Sequence, residues 1–240
     1  MNTYFEEDLH ISSFVVNGKK FNFLLNSRKD HIQQFLRNGD FYEREELELL
    51  CRYSAGCKRL LDVGANVGNH SIFLAHRLEL ERVTPIEPQP SILGVLRANL
   101  GLNWHPSFDL SHLGIALSDR SGWARIGLFD EFNIGGTRMM PVTEDPPAGD
   151  GQSSDLVRLY AGDDLFRAGD FDMIKLDVEG MEIETLRGLR QCLDGFDGVI
   201  FVEVRDFNAI ECARLIEEMG FQKVDEYRRY AKNNNWILTR

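Results

Sequence analysis

Nowhere in the sequence do roughly 18 apolar residues follow one another, so no membrane-spanning helix is expected. Basic runs are also missing, and 38 acids against 27 Lys and Arg leave a formal charge of -11. Nonspecific hold on DNA or RNA comes from many cations neutralising phosphates, so no nucleic-acid partner is expected. Cysteine is sparse: Cys51, Cys57, Cys192 and Cys212 make no C-x-x-C pair and have no histidine at ligand spacing. A zinc site is therefore not expected. Between Met1 and His10, where a secretory signal would place basic residues and then an apolar stretch, stand Glu6, Glu7 and Asp8. The expectation is a reduced, cytoplasmic chain.

What is present is an ordinary globular composition, 43% hydrophobic and 27% charged over 240 residues. That length suffices for one large domain, or one with a small appendage, without stabilising metals or disulfides. Strand-like and helix-like runs alternate, separated by Gly, Asn and Asp, which is the rhythm of βαβ units and a parallel sheet. Residues 1–55 read as a β/α lead-in: two short strands over Ser12 to Leu25 around the turn pair Asn17-Gly18, then helical periodicity at His31 to Leu36 and Glu45 to Leu50. Residues 56–240 read as the main domain. Its expected strands are Arg59 to Val63, Val83 to Ile86, His112 to Leu117, Met173 to Asp177, Val199 to Val204, and a closing pair at Phe221 to Tyr227 and Trp236 to Thr239. Helices are expected over Asn69 to Arg77, Ile92 to Leu100, Glu182 to Leu193 and Ala209 to Met219. Trp123 to Phe129 and Val157 to Tyr160 are further strand candidates. Asp130 to Asp155 has no periodicity and reads as either a functional lid or a disordered loop.

Chemistry enters at Asp62-Val63-Gly64-Ala65-Asn66-Val67-Gly68-Asn69, a strand, a glycine turn and a helix start. Such a turn brings backbone N–H groups against a cofactor at the carboxyl edge of a doubly wound sheet. Aligned on a G-x-G-x-x-G fingerprint, Asn66 and Asn69 replace the second and third glycines. Asp62 would also set a carboxylate beside two phosphate charges, so a cofactor without pyrophosphate is favoured. Glu87, followed by Pro88, ends the second strand 23 residues beyond Gly64, where an acid accepts the hydroxyls of a ribose. S-adenosylmethionine fits this combination better than a nicotinamide dinucleotide. The structural alternative is a tight turn at Gly64 and Gly68 with a solvated acid at the strand end.

A third polar group is Lys175, Asp177, Glu179 and Glu182, around the end of the strand Met173 to Asp177. A lysine inside that apolar strand is costly unless paired. Bridging a carboxylate would explain Lys175, and the helix dipole would explain Glu182, so a structural and a functional role stay equally open for both. Function is favoured for Asp177 and Glu179.

The sequence resembles the FkbM-type S-adenosylmethionine-dependent methyltransferases. The matching stretches are Gly39-Asp40-Phe41-Tyr42-Glu43, Leu61 to His70, Ile86-Glu87-Pro88, Ala116-Leu117-Ser118-Asp119, Asn133-Ile134-Gly135-Gly136-Thr137 and Ile174 to Gly180, in the family's order. The resemblance implies an α/β class I methyltransferase fold: a Rossmann-like, seven-stranded, mostly parallel sheet in the order 3-2-1-4-5-7-6, the seventh strand antiparallel, with helices on both faces. It implies O-methylation of a hydroxyl on a sugar, polysaccharide precursor or secondary metabolite, with S-adenosyl-L-methionine as cofactor. Cofactor-binding positions carried over are Glu43, Asp62, Gly64, Ala65, Asn66, Gly68, Asn69 and Glu87, while Asn133 falls in the family's Asn-x-Gly segment. Glu179 is ranked first as the base that takes the hydroxyl proton, ahead of Asp177 and His70. A metal site at Asp177 has no evident second and third ligand, so none is expected. Asp145-Pro146-Pro147 echoes a motif of amino-directed nucleic-acid methyltransferases, but Ala148 stands where that motif has an aromatic, and a loop is the better reading. A nicotinamide-dependent oxidoreductase and a non-catalytic cofactor-binding module remain as alternatives. The partner is a small-molecule or saccharide acceptor, and a homodimer is left open.

Overall fold

Asn17 and Gly18 take positive φ values of 52° and 78° between β1 (His10–Val16) and β2 (Lys19–Leu25), which pair antiparallel. Positive φ at both central positions gives the turn a twist that matches right-twisted strands, as the Asn-Gly pair predicts. The structure, a computed structural model, describes residues 9–127, 138–142, 155–229 and 231–240. Alternate residues of the hairpin, Phe14, Phe21 and Phe23, point inward and meet Phe41 edge-to-face at 5.3, 4.9 and 5.7 Å between ring centroids. Helices α1 (His31–Arg37), whose first turn is capped by Asp30, and α2 (Arg44–Tyr53) complete the lead-in.

After the lead-in come β3 (Arg59–Val63), α3 (Asn69–Leu78), β4 (Arg82–Ile86), α4 (Pro90–Leu102), β5 (Ile115–Ser118), β6 (Gly122–Ile126), β7 (Met139–Pro141) and β8 (Leu156–Ala161). They are followed by α5 (Gly162–Leu165), β9 (Met173–Leu176), α6 (Glu182–Gly188), β10 (Val199–Arg205), α7 (Ala209–Glu218), β11 (Gln222–Tyr227) and β12 (Asn233–Thr239). The main sheet has six strands in the order β4-β3-β9-β10-β12-β11, and only β12 runs against its neighbours. Because strand side chains alternate between faces, Leu60, Met173, Phe201 and Ile237 enter one apolar cluster, shared with α3 and α4. Leu61, Ile174, Val202 and Leu238 enter the other, shared with α6 and α7. Phe23, Leu36, Phe41 and Leu50 of the lead-in belong to the first cluster, so the lead-in packs into the core of the main domain.

The seven-stranded sheet expected above is corrected in one respect. Its first edge strand, expected over His112 to Leu117, is β5, shifted to Ile115–Ser118 and paired with β8 in a separate four-stranded sheet β5-β8-β6-β7. Val83 of β4 donates to Ser107 O and accepts from Asp109 N, so its backbone groups, and those of residues 85 and 87, face this edge. Residue 85 is a proline with no N–H to give, and the ladder breaks there. Contact resumes once, where Gly114 N donates to Glu87 O at 2.9 Å. Trp123 to Phe129 is realised as β6 ending at Ile126, while β7 begins at Met139, inside the stretch read as aperiodic. The helix expected to reach Leu193 ends at Gly188.

Two asparagines of α4 fasten the hairpin to the main domain. Asn99, fully buried, accepts from Leu24 N at 2.6 Å and donates to Val67 O at 2.9 Å. Asn103 accepts from Asn22 N at 2.9 Å and donates to Asn22 O at 2.7 Å. Asn99→Ala strands a buried donor and a buried acceptor and is expected to cost about 2 kcal/mol or more. Urea denaturation followed by circular dichroism measures this, and an unchanged midpoint would contradict the fastening role.

Candidate functional site

The carboxyl ends of β3, β4, β9 and β10 meet at one edge of the main sheet. Gly64 opens the turn after β3 at φ 85°, and a Cβ there would lie 1.9 Å from the backbone oxygen of Asp177. Asp177 N in turn donates to Val63 O at 3.0 Å. The glycine is therefore demanded by the approach of the neighbouring strand, whatever binds above it. Asn66, in the second glycine position of the fingerprint, takes φ 50°. Asparagine is among the few residues that tolerate this left-handed conformation, so the turn survives the replacement.

Four donors of this turn are occupied by the protein. Gly64 N and Ala65 N donate to Ile86 O, Gly68 N to Ala65 O, and Asn66 N to Glu87 Oε2 at 2.8 Å. These four groups are not available to a pyrophosphate. Glu87 also accepts from Gln89 N at 2.8 Å, and burial pushes its carboxyl up to about 7, against those two donors and the nearby charge of Lys175. Asn66 Oδ1 is buried without a hydrogen-bond partner. A carboxylate able to accept ribose hydroxyls thus stands next to an orphaned amide oxygen.

Below the turn lies a buried charge cluster. Lys175 Nζ, on β9, donates to Gly64 O at 2.8 Å and lies 3.3 Å from Asp62 Oδ1 and 3.6 Å from Asp177 Oδ2. Burial opposes its charge, but Asp62 and Asp177 outweigh that and hold the ammonium pKa above its usual value. The structural option for Lys175 is thereby realised. Asp62, fully buried, also accepts from Ser71 Oγ at 2.5 Å.

Glu43, which enters α2 at φ 55°, reaches the same region with Oε2 3.3 Å from His70 Nε2. Burial alone would raise the Glu43 carboxyl, but His70 and Tyr42 hold it below the ordinary range. Asn69 accepts from Tyr42 N at 3.0 Å and donates to Tyr42 O at 2.9 Å, so its side chain positions the segment carrying Glu43. Glu182 accepts from Gly180 N and from Asn208 Nδ2, both at 2.7 Å, which ties the start of α6 to the turn before α7. Glu179, at φ 53°, is paired with Arg205. A cleft along the edge is lined by Gly64, Glu87, Ala116, Leu117, Asp177 and Glu179, among others.

Glu203 of β10 was not foreseen. It is the only acid in the apolar run Val199-Ile200-Phe201-Val202-Glu203-Val204, and the register across the sheet brings it beside Asp177. Burial, then the charges of Asp177 and Glu43, raise its carboxyl well above the ordinary value. The only signal in the sequence was the acid itself, one residue from the strand end. Asn133 and the Asp145-Pro146-Pro147 tripeptide lie outside the described residues.

Together the acid-lined edge, Glu87 and the orphaned Asn66 oxygen suit a ligand with ribose hydroxyls and positive charge, and S-adenosylmethionine has both. Known proteins agree. The family model described as Methyltransferase FkbM domain matches residues 62–233, and the chain belongs to that family. Methyltransferase sdnD of Sordaria araneosa is 24% identical over 208 residues, 75% of this chain and 80% of its own. The crystal structure of Methyltransferase FkbM from Methylobacillus flagellatus KT matches with a TM-score of 0.52 and 17% identity, over 75% of this chain and 43% of that one. This chain therefore spans less than half of that neighbour's length, and the likeness is one of fold. No helix among the described residues is long and apolar enough to cross a membrane.

Gly56 and Gly64 separate backbone conformation from close approach. Both sit at positive φ, 92° and 85°, but a Cβ added at Gly56 would meet nothing within 4 Å. Gly56→Ala is expected to cost about 1–2 kcal/mol, the left-handed penalty alone. Gly64→Ala must also displace β9 and is expected to cost about 4 kcal/mol or more, or to prevent folding. Equal thermal stability of the two variants would contradict the packing role.

Proposed function

We propose that this protein transfers a methyl group from S-adenosylmethionine to a hydroxyl of a small-molecule or saccharide acceptor. The observation that carries the cofactor is Glu87: a buried carboxylate at the end of β4, held by two backbone donors beside a turn four of whose donors are engaged by the protein. Glu87 receives the ribose hydroxyls, the Gly64 to Gly68 turn admits the methionine part, and Asp62, Glu43 and Asn66 line its polar end. Ala65 and Asn69 serve through the turn and through Tyr42 respectively. Bound there, S-adenosylmethionine supplies a methyl group on a positively charged sulfur. The protein's part is to hold an acceptor oxygen in line with that methyl and to exclude water, since orientation alone is worth up to about 7–11 kcal/mol.

The acceptor proton leaves toward the carboxylates at the end of β9. Glu179 is the first-ranked base and is paired with Arg205. Asp177 shares Lys175 with Asp62 and is second, while His70 is engaged by Glu43. The excess of acid disfavours a polyanionic acceptor. The family match supports methyl transfer, and the choice of oxygen as acceptor rests on the carboxylates that stand where a hydroxyl proton must go.

Calorimetry with S-adenosylhomocysteine tests the cofactor. Micromolar binding that Glu87→Ala abolishes, with NAD silent, is expected, whereas NAD binding would reinstate the oxidoreductase. The pH dependence has a definite sign. Glu87 is raised from 4.5 to about 7, so the stability linked to its proton is present at acid pH and lost as pH rises through about 7. Ribose hydroxyls donate to the ionised form, so affinity for S-adenosylhomocysteine is expected to rise through the same range, with a proton released on binding. Lys175 and Asp62, the charges nearest Glu87, act on it in opposite senses. Titration in two buffers of different ionisation enthalpy reads the released proton, and a flat profile would overturn this account. For transfer itself, a panel of saccharides, nucleotide sugars and hydroxylated metabolites identifies the acceptor. Glu179→Gln is expected to lower turnover about 100-fold or more with cofactor binding intact, and loss of only a few-fold would remove Glu179 as base.

A further inference from the structure

The carboxylates of Asp177, Glu179 and Glu203 each place an oxygen within 4.8 Å of the others. Oxygens held at about 2.1–2.5 Å by one cation are at most about 4.2–5 Å apart, so this spacing is that of a shared ligand sphere. The register explains it: Lys175 faces Phe201 and Leu176 faces Val202, so the next residues, Asp177 and Glu203, stand side by side as β9 and β10 end.

A second observation is independent of the acids. Asn235 of β12 is the direct cross-strand partner of Glu203, so both side chains leave the sheet on one face and stand next to each other. Asn235 is 4% exposed, and its Oδ1 is buried without a hydrogen-bond donor. A buried amide oxygen left without a donor is costly. It is also a good ligand for a hard cation.

The donor set points the same way. On this face Glu43, Asp62, Asp177, Glu179 and Glu203 are drawn together, while the cations paired with them are Lys175 and Arg205. His70 adds charge only when protonated. Arg138 stands close to Arg205 and Arg229 close to Glu43, and among the described residues neither histidine nor cysteine joins the trio, so the chemistry is that of oxygen ligands.

We propose that Asp177, Glu179 and Glu203, with the amide oxygen of Asn235, bind one divalent cation of the magnesium, manganese or calcium class. Arg205, now paired with Glu179, gives way as the cation binds. The partners of Asp177 that spacing along the chain does not reveal, Glu203 and Asn235, come from strands remote in sequence. Its job in catalysis rests on the methyltransferase reading. A hydroxyl on the cation would ionise more readily, its proton passing to the carboxylate oxygen of Glu179 that does not hold the cation. Binding of the cation itself does not depend on that reading.

The test is titration of the full chain with Mn²⁺ alone, followed by the electron paramagnetic resonance signal of the free ion. Wild type is expected to take up one Mn²⁺ per chain. Glu203→Gln is expected to weaken binding by more than about tenfold, since loss of a direct ligand costs at least what loss of an outer partner does. Asn235→Ala, a milder change, should weaken it as well and serves if Glu203→Gln does not fold. Arg205→Gln removes a competing charge and should tighten binding, which a merely structural acid cluster would not do. Absence of saturable uptake by folded wild type, or unchanged affinity in both Glu203→Gln and Asn235→Ala, would overturn the site. S-adenosylhomocysteine calorimetry on the same samples reports on the methyltransferase reading separately. Loss of that binding with Mn²⁺ uptake intact would sink the function and leave the cation site standing.

Discussion

A buried ammonium organises this protein. Lys175 Nζ, on a residue 1% exposed, is held by the carbonyl of Gly64 and the carboxylates of Asp62 and Asp177. Taking such a charge out of water costs several kcal/mol, and the cost is offset only where partners with good geometry surround it. Here those partners sit on β3, on the turn that follows it and at the end of β9, so satisfying one side chain sets the relative height of two neighbouring strands. The same register presses Asp177 O against Gly64, which is why no side chain is tolerated there. The glycine turn and the acid at the end of β9 are thus one mechanical unit.

From that unit the rest of the edge follows. With the turn in place, its N–H groups are used by Ile86 O and Glu87, which brings Glu87 to the mouth of the cleft and leaves it desolvated. The lead-in enters through Asn69, whose amide grips the backbone of Tyr42 and so delivers Glu43 to His70. On the far side Arg229 of the C-terminal hairpin holds the buried Glu46 of α2 with both of its ends, one contact at 2.7 Å. Segments from both ends of the chain are therefore clamped around a site made by its middle.

Much of this was readable from local pattern. The Asn17-Gly18 turn, the strand–turn–helix at Asp62 to Asn69, the Glu-Pro end of β4 and the odd lysine in β9 all carry their physics within a few residues. The aspartate and the two asparagines that spoil the dinucleotide fingerprint pointed to a cofactor without pyrophosphate, and four donors of the turn are spent within the protein. Less legible were events between strands. Pro85 looks harmless in a strand of Val, Thr and Ile until the alternation of backbone groups shows that its missing N–H faces the edge. Glu203 reads as one acid near the end of an apolar strand. Its nearness to Asp177, Glu179 and Asn235 is a matter of how β9, β10 and β12 align, which the spacing along the chain does not encode.

The sequence by itself determined the periodic elements, the turn chemistry, the family and the identity of most polar groups at the carboxyl edge of β3 and β4, because each depends on residues close in the chain. Tertiary structure alone decided which edge strand leaves the main sheet, that Asn69 and Glu182 serve as fasteners, and that carboxylates from separate strands converge. The physical reason is that strand register and the pairing of buried charges are settled by many distant contacts at once. A single chain position carries only one side of each.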